Sequence, residues 1–78
     1  MVNILISGYY GFDNIGDESI LRTLVSSLRE HIPDCLLTVL SHNPASTREK
    51  YGVEAVDRMS PMAILRAVKK CDMLISGG

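Results

Sequence analysis

Two periodicities alternate along this chain. Residues 2–7 open it with an almost unbroken apolar run, Val2, Ile4, Leu5 and Ile6, which reads as a buried strand. Residues 18–30 change to a helical period, with Ile20, Leu21, Leu24, Val25 and Leu28 on one face and Arg22, Ser26 and Arg29 opposite. Pro33 and Asp34 break that helix. Residues 36–40, β-branched and apolar, predict a second strand. Asn43-Pro44 starts a short helix, since proline is tolerated in a first turn, and Gly52 is placed to stop it. A short third strand follows over 53–56. Ser60-Pro61 opens a third helix, whose predicted apolar stripe is Ile64, Leu65, Val68 and Cys71. Residues 73–75 form the fourth predicted strand, and Met59 and Met62 read as fillers of core gaps.

Strands alternating with helices at this spacing imply right-handed βαβ units and a parallel sheet. Strands that are apolar throughout imply helices on both faces. The expected fold class is therefore α/β, a Rossmann-like parallel sheet in the order 3-2-1-4 with flanking helices. In that order the chain reverses direction between strands 1 and 4, and ligands bind in the crevice at their carboxyl ends. The segments after those two strands, 8–18 and 77–78, are the two glycine-rich places in the sequence.

Seventy-eight residues hold one small domain, which buries roughly 60% of the surface of its unfolded chain. A formal net charge of −1 gives no electrostatic reason to expect nucleic acid as a partner. The run at 2–6 is too short for a signal peptide and follows no basic cluster. No apolar stretch approaches the roughly 18–20 residues that a membrane span needs, so the expected location is cytoplasmic. Cys35 and Cys71 lie outside any metal-ligand spacing. If their strands flank the first one, they stand two strand spacings apart, about 9–10 Å. That exceeds the roughly 7 Å reach of a disulfide, and buried free thiols are expected. The chain closes on a strand and Gly77-Gly78, residues that normally begin a further connection. Residues 1–78 are thus expected to be the N-terminal, partial domain of a longer protein. Its unpaired fourth strand and uncovered helix face should leave it marginally stable or prone to aggregate.

The segment with the most chemistry is Gly8-Tyr9-Tyr10-Gly11-Phe12-Asp13-Asn14-Ile15-Gly16-Asp17-Glu18. A glycine-rich turn between a strand and a helix brings bare backbone N–H groups up to a ligand. Its spacing, Gly8, Gly11, Gly16, fails the dinucleotide pattern G-x-G-x-x-G, and the second strand ends in Ser41-His42 where that pattern needs an acid. Gly11 to Gly16 has the Walker gap, but Asp17-Glu18 stand where a lysine and a hydroxyl belong. A carboxylate in place of that lysine reverses the sign of the interaction with phosphate. Helix capping accounts for Asn14 as N-cap and for an acid in the first turn. Capping does not account for Tyr9, Tyr10 and Phe12, three of the chain's four aromatic residues. Aromatic faces beside acceptor carboxylates suit a sugar, whose ring stacks through its C–H faces while its hydroxyls donate to the acids. His42 reads as incidental, His31 as a partner of helix carbonyls, and Arg48-Glu49-Lys50 and Lys69-Lys70 as solvated faces. The residues form no nucleophile–base–acid triad and no metal cluster.

The string from Ser7 to Leu21 closely resembles the N-terminus of bacterial polysaccharide pyruvyl transferases, in particular the cell-wall type. Thr38-Val39-Leu40-Ser41-His42-Asn43-Pro44, the Tyr51-Gly52-Val53 turn and Leu74-Ile75-Ser76-Gly77-Gly78 fit the same template. The resemblance covers nearly the whole chain but only the N-terminal part of a typical member. It implies an enzyme that transfers pyruvate from phosphoenolpyruvate to a sugar, as a ketal. The acceptor implied is an N-acetylmannosamine of a lipid-linked cell-wall polysaccharide precursor, and the ketal is a mark that S-layer proteins recognise. It further implies a GT-B-like architecture of two Rossmann-like halves, of which this chain is the acceptor-facing wall. The basic and histidine residues that hold phosphoenolpyruvate in that family lie beyond it, so the chain alone should be inactive. Asp13 and Asp17 are then the candidate catalytic acids, one of them deprotonating the attacking hydroxyl. Gly8, Tyr9, Tyr10, Gly11, Asn14, Gly16, Glu18, Gly77 and Gly78 are the candidate substrate-binding residues. No cofactor is implied beyond phosphoenolpyruvate as co-substrate, no metal, and no nucleic acid. The partners implied are the lipid-linked saccharide and the missing C-terminal domain, with peripheral association at the inner face of the membrane. The competing expectation is a flavodoxin-like or nucleotide-binding α/β interaction module without transferase activity. Such a module clusters its acids at the ends of strands 1 and 3, whereas here they sit in the first connection and helix start.

Overall fold

A strand without a polar face has nothing to offer water, so the apolar run at the start of the chain belongs in the middle of a sheet. The computed structural model describes residues 1–10 and 15–77, without the side chains of Tyr9 and Tyr10. Among the described residues the chain forms four strands and three helices in strict alternation. They are β1 (Val2–Tyr10), α1 (Ile15–His31), β2 (Cys35–Ser41), α2 (Pro44–Tyr51), β3 (Glu54–Asp57), α3 (Pro61–Lys70) and β4 (Met73–Ser76). The sheet order is β3-β2-β1-β4 and every pair is parallel, as the alternation of elements demands.

Register decides which side chains share a face. Ile4 lies beside Leu37 and Met73, and Ile6 beside Val39 and Ile75. Ile4, Ile6, Leu37, Val39 and Val53 pack with Leu21 and Val25 of α1 and Tyr51 of α2 into the main core. The other face carries Leu5, which α3 covers. Cys35, at the start of β2, and Cys71, at the end of α3 just before β4, are free, half-buried thiols.

Four expectations need correction. First, β1 does not end at Ser7 but continues through Gly8 to Tyr10. There β1 advances four residues, from Ile6 to Tyr10, while β2 advances only two, from Val39 to Ser41. The ladder is therefore interrupted at the β1 exit. Second, Met59 and Met62 fill no core gap, being 68% and 61% exposed. Third, Leu65 and Val68 also face outward, because α3 lies on the sheet through Ala63, Ile64, Ala67 and Cys71. Alanine side chains are too short to fill the space, and a groove of about 400 Å³ remains between Ala63 and Ala67 and the sheet residues Leu5, Leu36 and Thr38. Fourth, burial on both faces holds for the centre of β1 but not for β4, where Met73 and Leu74 are exposed. β4 pairs with β1, and among the described residues no other strand lies beside it.

Local chemistry sets the helix ends. Asn43 and Ser60 cap α2 and α3 by accepting from the N–H groups of Ser46 and Ala63, each at 3.3 Å, with proline in the first turn of both. α2 ends in left-handed backbone at Gly52 (φ 63°, ψ 36°), whose N–H donates to the Arg48 carbonyl. Arg29 of α1 locks that end by donating to the carbonyls of Tyr51 (3.0 Å) and Gly52 (2.6 Å). A Cβ on Gly52 would meet its nearest neighbour, an Arg29 nitrogen, at an ordinary 3.8 Å, so any cost of substitution is conformational. Gly52→Ala should therefore destabilise the fold by about 1–2 kcal/mol, the penalty for an L residue in left-handed backbone. Urea unfolding of the two proteins measures it, and equal midpoints would contradict the assignment.

Candidate functional site

Parallel strands alternating with helices bring the carboxyl ends of all four strands and the N-termini of all three helices to one edge of the sheet. At that edge the Gly77 N–H donates to the Ser7 carbonyl at 2.9 Å, so the two glycine-rich places adjoin. Ser41, fully buried at the end of β2, shares a 2.7 Å hydrogen bond with the Thr47 hydroxyl and accepts from the Asn43 N–H at 3.0 Å. That small polar knot fixes the turn into α2. From the β3–α3 connection the Arg58 N–H donates to the Ser41 carbonyl, and the Arg58 guanidinium reaches on to the Gly8 carbonyl at 3.0 Å.

The first turn of α1 carries Gly16, Asp17 and Glu18. Acids there are favoured by the helix dipole. Glu18 also has a specific partner: its Oε1 accepts from the Tyr51 hydroxyl at 2.7 Å, and that hydroxyl lies 3.3 Å from the Glu18 carbonyl oxygen. Tyr51 is buried, and the Arg22 guanidinium sits 5.5 Å above its ring. Burial first, and then the Glu18 carboxylate, push the Tyr51 phenol up to about 12, with Arg22 pulling the other way.

The candidate residues are distributed as follows. Gly8 lies in β1 with its carbonyl bound to Arg58, and the Tyr9 and Tyr10 backbones continue that strand. Gly16 is exposed, Asp17 and Glu18 are half-buried, and Gly77 adjoins Ser7. Gly11, Phe12, Asp13, Asn14 and Gly78 lie outside the described residues. Among the described residues no three His, Cys, Asp or Glu groups are placed to hold a metal ion. His31 bonds the Ser27 carbonyl at 2.8 Å, as its position late in the helix predicts, and His42 is exposed at the end of β2. Arg48 is no merely solvated group, because it donates to the Ala55 carbonyl at 2.8 Å. Sequence reasoning gave no site role to Arg58, which holds the Gly8 carbonyl, or to Tyr51, named only as part of a turn, which holds Glu18. Arg58 was findable by position, as the first basic residue after the third strand.

The family model for polysaccharide pyruvyl transferase matches residues 14–78, most of the chain. The chain belongs to the polysaccharide pyruvyl transferase family. No match was found among curated proteins or among solved structures. Membership in a transferase family of polysaccharide biosynthesis accords with a strand-end crevice that carries carboxylates in its first helical turn. Among the described residues no helix is long and apolar enough to cross a membrane.

In this polysaccharide pyruvyl transferase chain, Tyr51 should couple the fold to pH. Its folded value, about 12, exceeds the usual unfolded value near 10, so the neutral phenol is the form that folding favours. The stabilisation is complete below pH about 10 and is lost as pH rises through about 12. Tyr51→Phe should cost about 1 kcal/mol at neutral pH by removing the hydrogen bond to Glu18 and should flatten the alkaline decline. Urea unfolding across the alkaline range checks both, and an equal alkaline decline in the variant would contradict the assignment.

Proposed function

We propose that this chain supplies the acceptor-binding wall of an enzyme that transfers pyruvate from phosphoenolpyruvate to a sugar of a lipid-linked cell-wall polysaccharide precursor. The observation that carries the reading is the family match over residues 14–78. Ketal formation defines what such a site must do. The enol carbon C2 gains bonds to two acceptor oxygens, C3 gains a proton to become a methyl group, and phosphate leaves with the second hydroxyl proton. One hydroxyl must first be positioned and deprotonated, which calls for a carboxylate beside a neutral polyol. Asp17 suits that role by its place in the first turn of α1, and Asp13 is its alternative from the sequence. Glycines at 8, 16 and 77 allow the sugar close to the backbone.

The phosphate of the donor calls for positive charge, which a second GT-B-like half would bring to the facing side of the crevice. Residues 1–78 are on this reading a partial N-terminal domain, catalytically incomplete without that half. A lipid-linked acceptor would bring the enzyme to the inner face of the membrane by its substrate.

Titrating the isotopically labelled chain with N-acetylmannosamine, phosphoenolpyruvate, ATP and NAD, and following backbone amide shifts, tests the reading. The sugar should move the amides of Gly8, Gly16 and Asp17, while ATP and NAD should leave them in place. Asp17→Asn should weaken sugar binding about tenfold, the scale of one hydrogen bond to a charged acceptor. Saturable shifts with ATP and none with the sugar would overturn it in favour of a nucleotide-binding module.

A further inference from the structure

The β1 exit is held by a side chain where a sheet would ordinarily use its ladder. Between Ile6 and Tyr10 the pairing with β2 loses register, so this stretch of β1 is bulged away from its neighbour. On the β4 side the Ser7 carbonyl takes the Gly77 N–H. The Gly8 carbonyl is met by the guanidinium of Arg58, fifty positions away in sequence, at 3.0 Å. The backbone of the same residue bonds the Ser41 carbonyl, at the very residue where β2 rejoins β1 opposite Tyr10. Arg58 thus ties the exits of β1 and β2 together across the interruption. Bulges next to binding sites re-aim the backbone, and a charge-assisted hydrogen bond to a strand carbonyl helps hold such a bend in place.

We propose that Arg58 is a positioning residue for the crevice, which sets the backbone of Gly8, Tyr9 and Tyr10 for ligand by clamping the Gly8 carbonyl across the bulge. The inference rests on the acceptor-binding reading for its consequence in affinity and on geometry alone for the clamp. Arg48 provides an internal comparison. It too donates to a strand carbonyl, that of Ala55 at 2.8 Å, but across the α2–β3 packing and away from β1. A purely structural arginine should behave like Arg48, and a positioning arginine should not.

The test compares Arg58→Met, Arg58→Lys and Arg48→Met in the 78-residue chain. Hydrogen exchange at the Gly8, Tyr9 and Tyr10 amides should speed up about tenfold in Arg58→Met, the scale of one charge-assisted hydrogen bond, with Ile4 and Leu37 unchanged. Arg58→Lys, which keeps a charged donor on a long stem, should restore most of that protection. N-acetylmannosamine affinity should fall in Arg58→Met, recover in Arg58→Lys and hold in Arg48→Met, even where Arg48→Met lowers the melting temperature more. Unchanged exchange at 8–10 in Arg58→Met would overturn the clamp, and so would equal losses of affinity in Arg58→Met and Arg48→Met. If the unsubstituted chain binds no sugar, the acceptor reading fails by itself, and the exchange pattern alone decides for or against the clamp. If Arg58→Met does not fold, Arg58→Gln takes its place against Arg48→Met: faster exchange at 8–10 in Arg58→Gln than in Arg48→Met supports the clamp, and equal or slower exchange overturns it.

Discussion

Parallel pairing of all four strands, with a helix in each crossover, is the constraint from which the rest of this molecule follows. It forces the carboxyl ends of β1 to β4 and the N-termini of α1 to α3 onto a single edge. That edge collects the ends of three helix dipoles and the two glycine-rich segments, while the opposite edge collects the basic last turns of the helices. The two edges therefore differ in electrostatic character although the chain as a whole is nearly neutral. The acids in the first turn of α1 answer the positive dipole end at the first edge, which favours a neutral ligand rich in hydroxyls over an anion.

Much of this architecture was legible, because strand–helix alternation and proline–polar starts are local signals. Asn43-Pro44, Gly52 and Ser60-Pro61 each acted where the sequence placed them, through one hydrogen bond or one backbone angle. What was not legible depended on the third dimension. The face of α3 that meets the sheet carries Ala63, Ile64 and Ala67, and not the bulkier Leu65 and Val68. Periodicity registers hydrophobicity but not which face of a helix meets the sheet, which is why Met59 and Met62 were taken for core. Likewise β1 was expected to stop at its first glycine. Its pairing continues to Tyr10 because Ser41 rejoins it beyond the interruption, a contact between residues thirty-one positions apart.

Arginines carry most of what sequence reasoning missed. Arg29, Arg48 and Arg58 lie at polar positions of the pattern, and each donates to a backbone carbonyl at the end or edge of another element. A long stem lets such a residue rest on the surface while its fork reaches a carbonyl that the ladder or helix has left over. Pattern analysis sees only that the residue is polar. The distinction between a solvated charge and a backbone clamp appears when the orphaned carbonyls are counted, because a partly buried carbonyl must find a donor somewhere.

The same accounting separates the carboxylates of the crevice. Glu18 has the Tyr51 hydroxyl at 2.7 Å, and this contact fastens the first turn of α1 to the end of α2. Arg29 fastens the same end of α2 to the lower part of α1. Tyr51 is thus gripped along the length of α1, and the position of that helix start follows from the core beneath it. A carboxylate committed to a buried phenol is poorly placed to take a proton from a substrate, because doing so would sacrifice the contact that positions its own helix. Glu18 is accordingly the acid of this turn whose chemistry suits a fastener. The described ends of β1 and α1 are thus held from two sides, by Arg58 at the Gly8 carbonyl and by Tyr51 at Glu18.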